Sequence, residues 1–421
     1  MKAVFAAALL LSCSCASEYV VWRGHAPDRA TDIRVVERGG SQRLIVGGVA
    51  QTPHRAVGID AIAMNGGHVA YAVTDGAGWS VTRDGAASTS SWDAIGDVVL
   101  DQAGTHLAYV AARGGSFCVV LDEMPGARFE AIDRGTLAID RTGQPVYVGW
   151  RKEKAYVVEG GSLGPAWDTV HDLRVEGAVV YVGRDGNEER VVSGSAISPP
   201  YEAIDELEGD GYLARRGEDT IAVVHGRKVA TGSLHGLAVG GSSWAVAMKQ
   251  GDDEVVFRDG AVVSERFTTI SAIALSPAGD RAAWVGERAG RATVVVDGVG
   301  RGTWAWARAL RLTANDGFAF VGSMGAGAVV VTHRGRAAFD VVVEDSLVVS
   351  ADGNHWACVV GYQSTRTTYV AVDGKPRIRF DLGEWTDTAA LNVGRGTARR
   401  IAQLQAWVRT ELDRALSHAP S

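Results

Sequence analysis

The chain has 421 residues, 46% of them hydrophobic and 22% charged, with a formal net charge of −7. That balance belongs to a globular protein rather than a low-complexity one. The acidic sign, with basic residues spread along the chain, excludes an electrostatic footprint for nucleic acid.

The opening stretch MKAVFAAALLLSC has one Lys, an apolar run from Ala3 to Leu11, and then Ser12-Cys13. A short positive region, an apolar core and small residues before a break make an export signal. The run is too short to span a bilayer as a helix. Leu10-Leu11-Ser12-Cys13 resembles the lipobox of bacterial lipoproteins. The resemblance implies a signal over residues 1–15 and lipidation at Cys13, with Cys15 a weaker alternative and an ordinary cleaved signal another. It also implies a lipid-anchored position in a bacterial cell envelope, on the periplasmic or surface side of the outer membrane. Residues 16–31 are polar and read as a linker.

From residue 32 to 391 the chain repeats itself. Fifty-three Gly against 10 Pro, with abundant Val, suggest many strands joined by tight turns. The stretch LSPAGDRAAWVGERAGRATVVVDG (275–298) has close copies at 100–123, 139–161 and 349–374. Each holds a Gly-containing turn, a short run with a central aromatic, a polar hairpin, a Val-rich run and an acidic residue. The central aromatics are Tyr71, Tyr109, Tyr147, Tyr181, Trp244, Trp284, Phe320 and Trp356, with a degenerate unit near Tyr212. A second signature, typically aromatic-acidic-x-apolar, recurs as WDAI (92–95), FEAI (129–132), WDTV (167–170), YEAI (201–204), FTTI (267–270) and FDVV (339–342), with WAWA (304–307) a looser copy. The period is 33 to 38 residues. Alternation of period two and turn chemistry argue for strands. Four short antiparallel strands per repeat, with faces that must stack on neighbours, predict an all-β β-propeller of 7–10 blades.

These motifs resemble bacterial WD-repeat-like propeller repeats, written roughly S-P-D-G-x-x-x-A-Y, V-V-V-D-G and Y-D-x-I. The propeller of the Tol periplasmic system is a more distant relative. The resemblance covers residues 58–381. It departs from the pattern at Ala278, where the motif has Asp, and around Tyr212. It implies a module that presents surfaces to partners.

Residues 392–421 hold the one helical pattern. Ile401, Leu404, Val408, Leu412 and Ala415 share a face, read either as a docking helix or as one packed on the propeller. Two body cysteines, Cys118 and Cys358, sit in apolar strand-like runs and read as buried free thiols or as a pair.

Local catalytic patterns resolve into turns. GGSLG (160–164) matches a nucleophile pattern but lacks the following helix. GSMGAG (322–327) lacks the Lys-Ser/Thr of a phosphate loop. The sequence predicts no metal site, no cofactor and no catalytic residue. Trp79, Trp150, Trp306 and Trp385 stand off the repeat register and are the ligand-face candidates. The reading is an envelope-anchored binding or scaffolding propeller whose partner is an envelope protein or a glycan, more a binder than an enzyme. The alternative is a hydrolase or lyase with its site assembled at the ring axis from scattered residues.

Overall fold

Apolar alternation broken by Gly-containing turns folds here into antiparallel meanders. The computed structural model describes residues 19–25, 32–325, 327–350, 352–362 and 367–380, together with 408 and 412. Within them the strands form ten sheets. They are numbered as blades 1 to 10: residues 19–50, 56–87, 94–129, 131–163, 169–197, 203–232, 234–262, 269–304, 306–339 and 341–380. Strand order follows chain order in every blade. Blade 4 alone has five strands. Its first strand is split into Ala131–Ile132 and Ala138–Ile139, both paired with Pro145–Arg151. The fold class is all-β, of the β-propeller type. The chain divides into two compact units, residues 1–165 with blades 1–4 and residues 166–421 with blades 5–10.

Blade 3 shows why one repeat cannot stand alone. Its second strand, Leu107–Arg113, is buried at five successive positions, Leu107 to Ala111. Both faces are covered, so the apolar run is continuous rather than alternating. Leu107, Tyr109 and Ala111 join Cys118 and Val120 in a layer with blade 2 residues such as Ala70, Ala72 and Val81. Ala108, Val110 and Val119 face Tyr147 and Val158 of blade 4. Burying each large side chain of such a layer contributes roughly 1.5–3 kcal/mol. Blades 5–10 stack in the same way, through layers centred on Tyr212, Trp244, Trp284, Phe320 and Trp356.

The turns after the Val-rich runs are set by Asp-Gly. Asp297 and Gly298 have φ of 52° and 76°, and Asp373 and Gly374 have 49° and 81°. Positive φ at both central residues is the hairpin turn whose twist matches the flanking strands.

Four details refine the sequence reading. The stretch read as a linker, 16–31, contains the strand Tyr19–His25, which pairs with Asp32–Arg38 as the first strand of blade 1. Trp244 and Trp356 stand two residues before the register of Tyr71 and Trp284. Their amides, like those of Val69 and Ala282, bond the hairpin Asp. Cys118 and Cys358 are buried free thiols, and burial pushes the Cys358 thiol well above its ordinary pKa. From the C-terminal helical pattern, Val408 and Leu412 are helical and fully buried. They close over Val348, Ala357, Val359, Val370 and Val372, the face of blade 10 turned away from blade 9. The rest of 381–421, and the segment with Cys13 and Cys15, lie outside the described residues.

Candidate functional site

The polar residues of the repeat form recurring ties. In blade 3 the Asp122 carboxylate accepts the Leu107 amide at 2.9 Å through Oδ1, and Oδ2 lies 2.6 Å from His106 Nδ1. The His106 ring lies against Gly143 in the turn of blade 4. Blade 2 repeats this with Asp84, Val69 and His68, whose ring meets Gly104 of blade 3. Blade 8 uses Arg281 instead. Its guanidinium is 2.9 Å from Asp297 and reaches the Gly317 carbonyl of blade 9 at 3.2 Å. Each tie thus runs from the hairpin Asp, through His or Arg, to the next blade. The Asp122 hydrogen bond raises the His106 pKa against a weaker opposing push from burial, with the charges of Asp122 and Asp101 adding.

The aromatic-acidic signature is a second tie. Its acidic residue caps the central hairpin of its own blade: Asp93 accepts from Gly114 N at 2.7 Å, Asp168 from Gly186 N at 2.6 Å, and Glu202 from Gly217 N at 2.9 Å. The aromatic is held under an Arg. Arg113 lies 4.2 Å over Trp92, Arg151 4.3 Å over Phe129 and Arg216 5.0 Å over Tyr201. A strand glycine forms the floor where a Cβ would collide with the ring, as at Gly183 beneath Trp167 and Gly322 beneath Trp304.

The third group is where chemistry concentrates. In the second unit the first strands of blades 5 to 10 are bulged, and the bulges of blades 5, 6 and 7 carry His171-Asp172, Asp205-Glu206 and His235. His171 Nδ1 is 2.6 Å from Asp172, and Nε2 is 3.4 Å from Glu189 Oε1. Glu189 is buried and accepts the Ile204 amide of blade 6 at 2.7 Å. Two blades on, His235 Nε2 is 3.0 Å from Glu254, which accepts the Ile270 amide of blade 8 at 2.6 Å. Between them Glu206 accepts the Leu237 amide of blade 7 at 3.0 Å. Asp172 raises the His171 pKa by its hydrogen bond, against burial and with help from Glu189. Burial pushes the Glu206 carboxyl up, against the Leu237 amide, with Glu208 adding to the rise. Chemically, His171–Asp172 and His235–Glu254 are imidazole–carboxylate pairs, and Glu189, Glu206 and Glu254 bind the first strand of the following blade. Among the described residues no three of His, Cys, Asp or Glu converge as metal ligands would. Glu189 and Glu254 share one register position in the third strand, each bridging the backbone of the next signature aromatic. That shared position was the signal available in the sequence, and motif reading passed over it.

The tryptophans expected on a ligand face are placed apart. Trp79 is on the register after all, at the bridging position of Glu189 and Glu254. It exchanges backbone hydrogen bonds with Trp92 and is half-buried against the layer of blades 2 and 3. Trp150 donates its Nε1 hydrogen to Asp133 at 2.7 Å, tying down the split strand of blade 4. Trp306 packs half-buried against the layer of blades 9 and 10. Trp385 lies outside the described residues. Ser162 of GGSLG opens the exposed fourth strand of blade 4, paired with Glu159. Ser323 of GSMGAG bonds the Gly325 and Gly327 carbonyls within its turn.

No protein-family model matches the chain, and no curated protein matches it by sequence. Solved structures do resemble it. One described as the eukaryotic initiation factor is 11% identical, covering 74% of this chain and 95% of its own, at a TM-score of 0.41. Hsv2p of Kluyveromyces lactis is 13% identical, covering 69% of this chain and 99% of its own, at 0.29. The Dos1 propeller is 11% identical, covering 73% and 88%, at 0.27. Likeness at this level carries no functional argument.

Proposed function

We propose that the chain is an export-directed module, anchored in the cell envelope through Cys13, that binds or scaffolds a partner by the fourth-strand edges of its blades. The partner class these edges favour is a protein rather than a glycan. One observation carries this. In six blades a large apolar residue stands exposed as the first or second residue of the fourth strand: Val49, Met124, Leu163, Ile197, Val262 and Val299. Their exposure runs from 45% to 73%. A sheet edge offers unpaired backbone groups, and apolar side chains beside them add surface that a partner removes from water. The recurring polar residues of the repeat are engaged in ties within and between blades, which leaves these edges as the surface for recognition.

The test is crosslinking in cells followed by affinity capture. It compares the unaltered chain, a Cys13→Ser variant, and a variant with Ser at 49, 124, 163, 262 and 299. The reading expects a reproducible envelope protein, lost in the five-fold variant at unchanged melting temperature and redistributed in the Cys13 variant. Equal recovery from all three sinks it.

A second reading, a hydrolase or lyase acting at the first-strand bulges, draws on the raised Glu206 carboxyl beside His235. It requires turnover of an ester or glycoside panel that Glu206→Gln abolishes.

A further inference from the structure

We propose that the wedge between blades 5 and 6 is a binding site for a small apolar amine, an aromatic or branched aliphatic body with one cationic head. This goes beyond the partner-binding reading and does not depend on it.

The wedge holds a cavity of about 470 Å³. That lies within the range of small-ligand sites. Its origin is legible in the repeat. In blades 2, 3 and 8 the mouth of the wedge is filled by the His or Arg of the tie and by a five- or six-residue turn of the next blade, 101–106, 140–144 or 313–317. Blade 5 has Ala178 at the His position and Gly194 at the Asp position, as the Gly194 amide bond to the Val179 carbonyl shows. The answering turn of blade 6 is only Gly209-Asp210. Both halves of the tie are therefore missing at the same wedge, and the space they would fill is open. The following wedge is closed, because His225 Nε2 reaches the Gly241 carbonyl at 3.1 Å and Leu237 and Val239 crowd Gly211.

The lining specifies the ligand. Val180, Val191, Leu207 and Ile197 make aliphatic walls. The ring of Tyr212 is buried and stands edge-on to Tyr201 at 5.9 Å. Burial pushes its hydroxyl pKa up, as does a hydrogen bond with Tyr201, so the group stays a neutral donor and acceptor. At the mouth stands Asp210, three-quarters exposed, 3.7 Å from His225 Nδ1. The described lining has one carboxylate, one imidazole and no ammonium or guanidinium. An apolar body with a cationic head satisfies the walls and Asp210 together. An anionic ligand meets the Asp210 carboxylate at the mouth, with the His225 imidazole as the one cation-capable group to offset it.

Tryptamine, indole and indole-3-propionate are the probes, titrated into the purified full chain by calorimetry. The proposal expects saturable tryptamine binding at least about tenfold tighter than that of indole-3-propionate. Asp210→Asn, at an exposed position, should reduce that preference to about threefold or less. Ile197→Trp should fill the cavity and remove binding of tryptamine and indole at unchanged melting temperature. If Ile197→Trp disturbs folding, Asp210→Asn decides alone. No saturable binding at millimolar concentration, equal binding of the acid and the amine, or tryptamine binding that survives Ile197→Trp in a folded protein overturns the proposal. Ile197 belongs both to the fourth-strand edges and to the cavity wall; the five-fold variant leaves it in place, so loss of partner capture in that variant and loss of tryptamine binding in Ile197→Trp are read separately.

Discussion

Blades 3 and 5 are the same meander with different mortar. Both bury a tyrosine at the centre of the second strand, Tyr109 and Tyr181, and both hold a tryptophan of the aromatic-acidic signature, Trp92 and Trp167, with a capped hairpin beside it. Blade 3 adds Asp122 and His106 and so ties itself to blade 4. Blade 5 has Gly194 and Ala178 there and leaves a cavity toward blade 6. The apolar layer is therefore what both blades need, and the polar tie is an addition that blade 5 dispenses with. Where it is dispensed with, the fold acquires a concave surface.

The largest effect should come from the shared feature. Trp92→Ala in blade 3 and Trp167→Ala in blade 5 should each destabilise by about 3–5 kcal/mol, as buried aromatic truncations do. Guanidinium denaturation measures both, and a much smaller loss in blade 5 would show that its layer is already loose. Removing the tie comes next. Asp122→Ala leaves the Leu107 amide without its acceptor at a buried strand end, at a cost of about 1–3 kcal/mol. Rebuilding the tie in blade 5 sharpens the contrast from the other side. Gly194 has φ of 55° with open space around it, a conformation Asp adopts at 84, 259 and 297. Gly194→Asp with Ala178→His should therefore stabilise by about 0.5–1.5 kcal/mol and weaken tryptamine binding.

The tie also has a pH signature. The folded His106 pKa is raised above its unfolded value by Asp122. Its contribution is fully present below the ordinary imidazole value of about 6.5 and is lost as pH rises through the higher folded value. Melting curves across that window should show the gap between the unaltered protein and Asp122→Asn narrowing as pH rises. A gap independent of pH would mean the imidazole plays no part. The smallest effect belongs to the Arg that lies over the signature aromatic. Arg113→Ala should cost about 0.5–1 kcal/mol, read in the same denaturation experiment.

The repeat signature was legible because it is local. Aromatic, acidic, Gly and Val residues recur at one spacing, and each has a role within its own blade or the next. Trp150 and Trp79 were harder to place, because the linear register does not show which groups they meet. In the fold, Trp150 bonds Asp133 and Trp79 bridges Trp92. Glu189, Glu206 and Glu254 were passed over for a related reason. Nothing near them in sequence shows that their partners, Ile204, Leu237 and Ile270, lie in the following blade.

By itself the sequence determined an all-β chain of propeller blades with a period of 33 to 38 residues, because strand periodicity and turn chemistry act over a few neighbouring positions. The tertiary structure alone decided which polar groups meet across blades, that residues 19–25 supply a strand to blade 1, and that the wedge of blades 5 and 6 is hollow. A cavity arises where a missing side chain in one repeat faces a shortened turn in the next, and that coincidence exists only after the two repeats have been stacked.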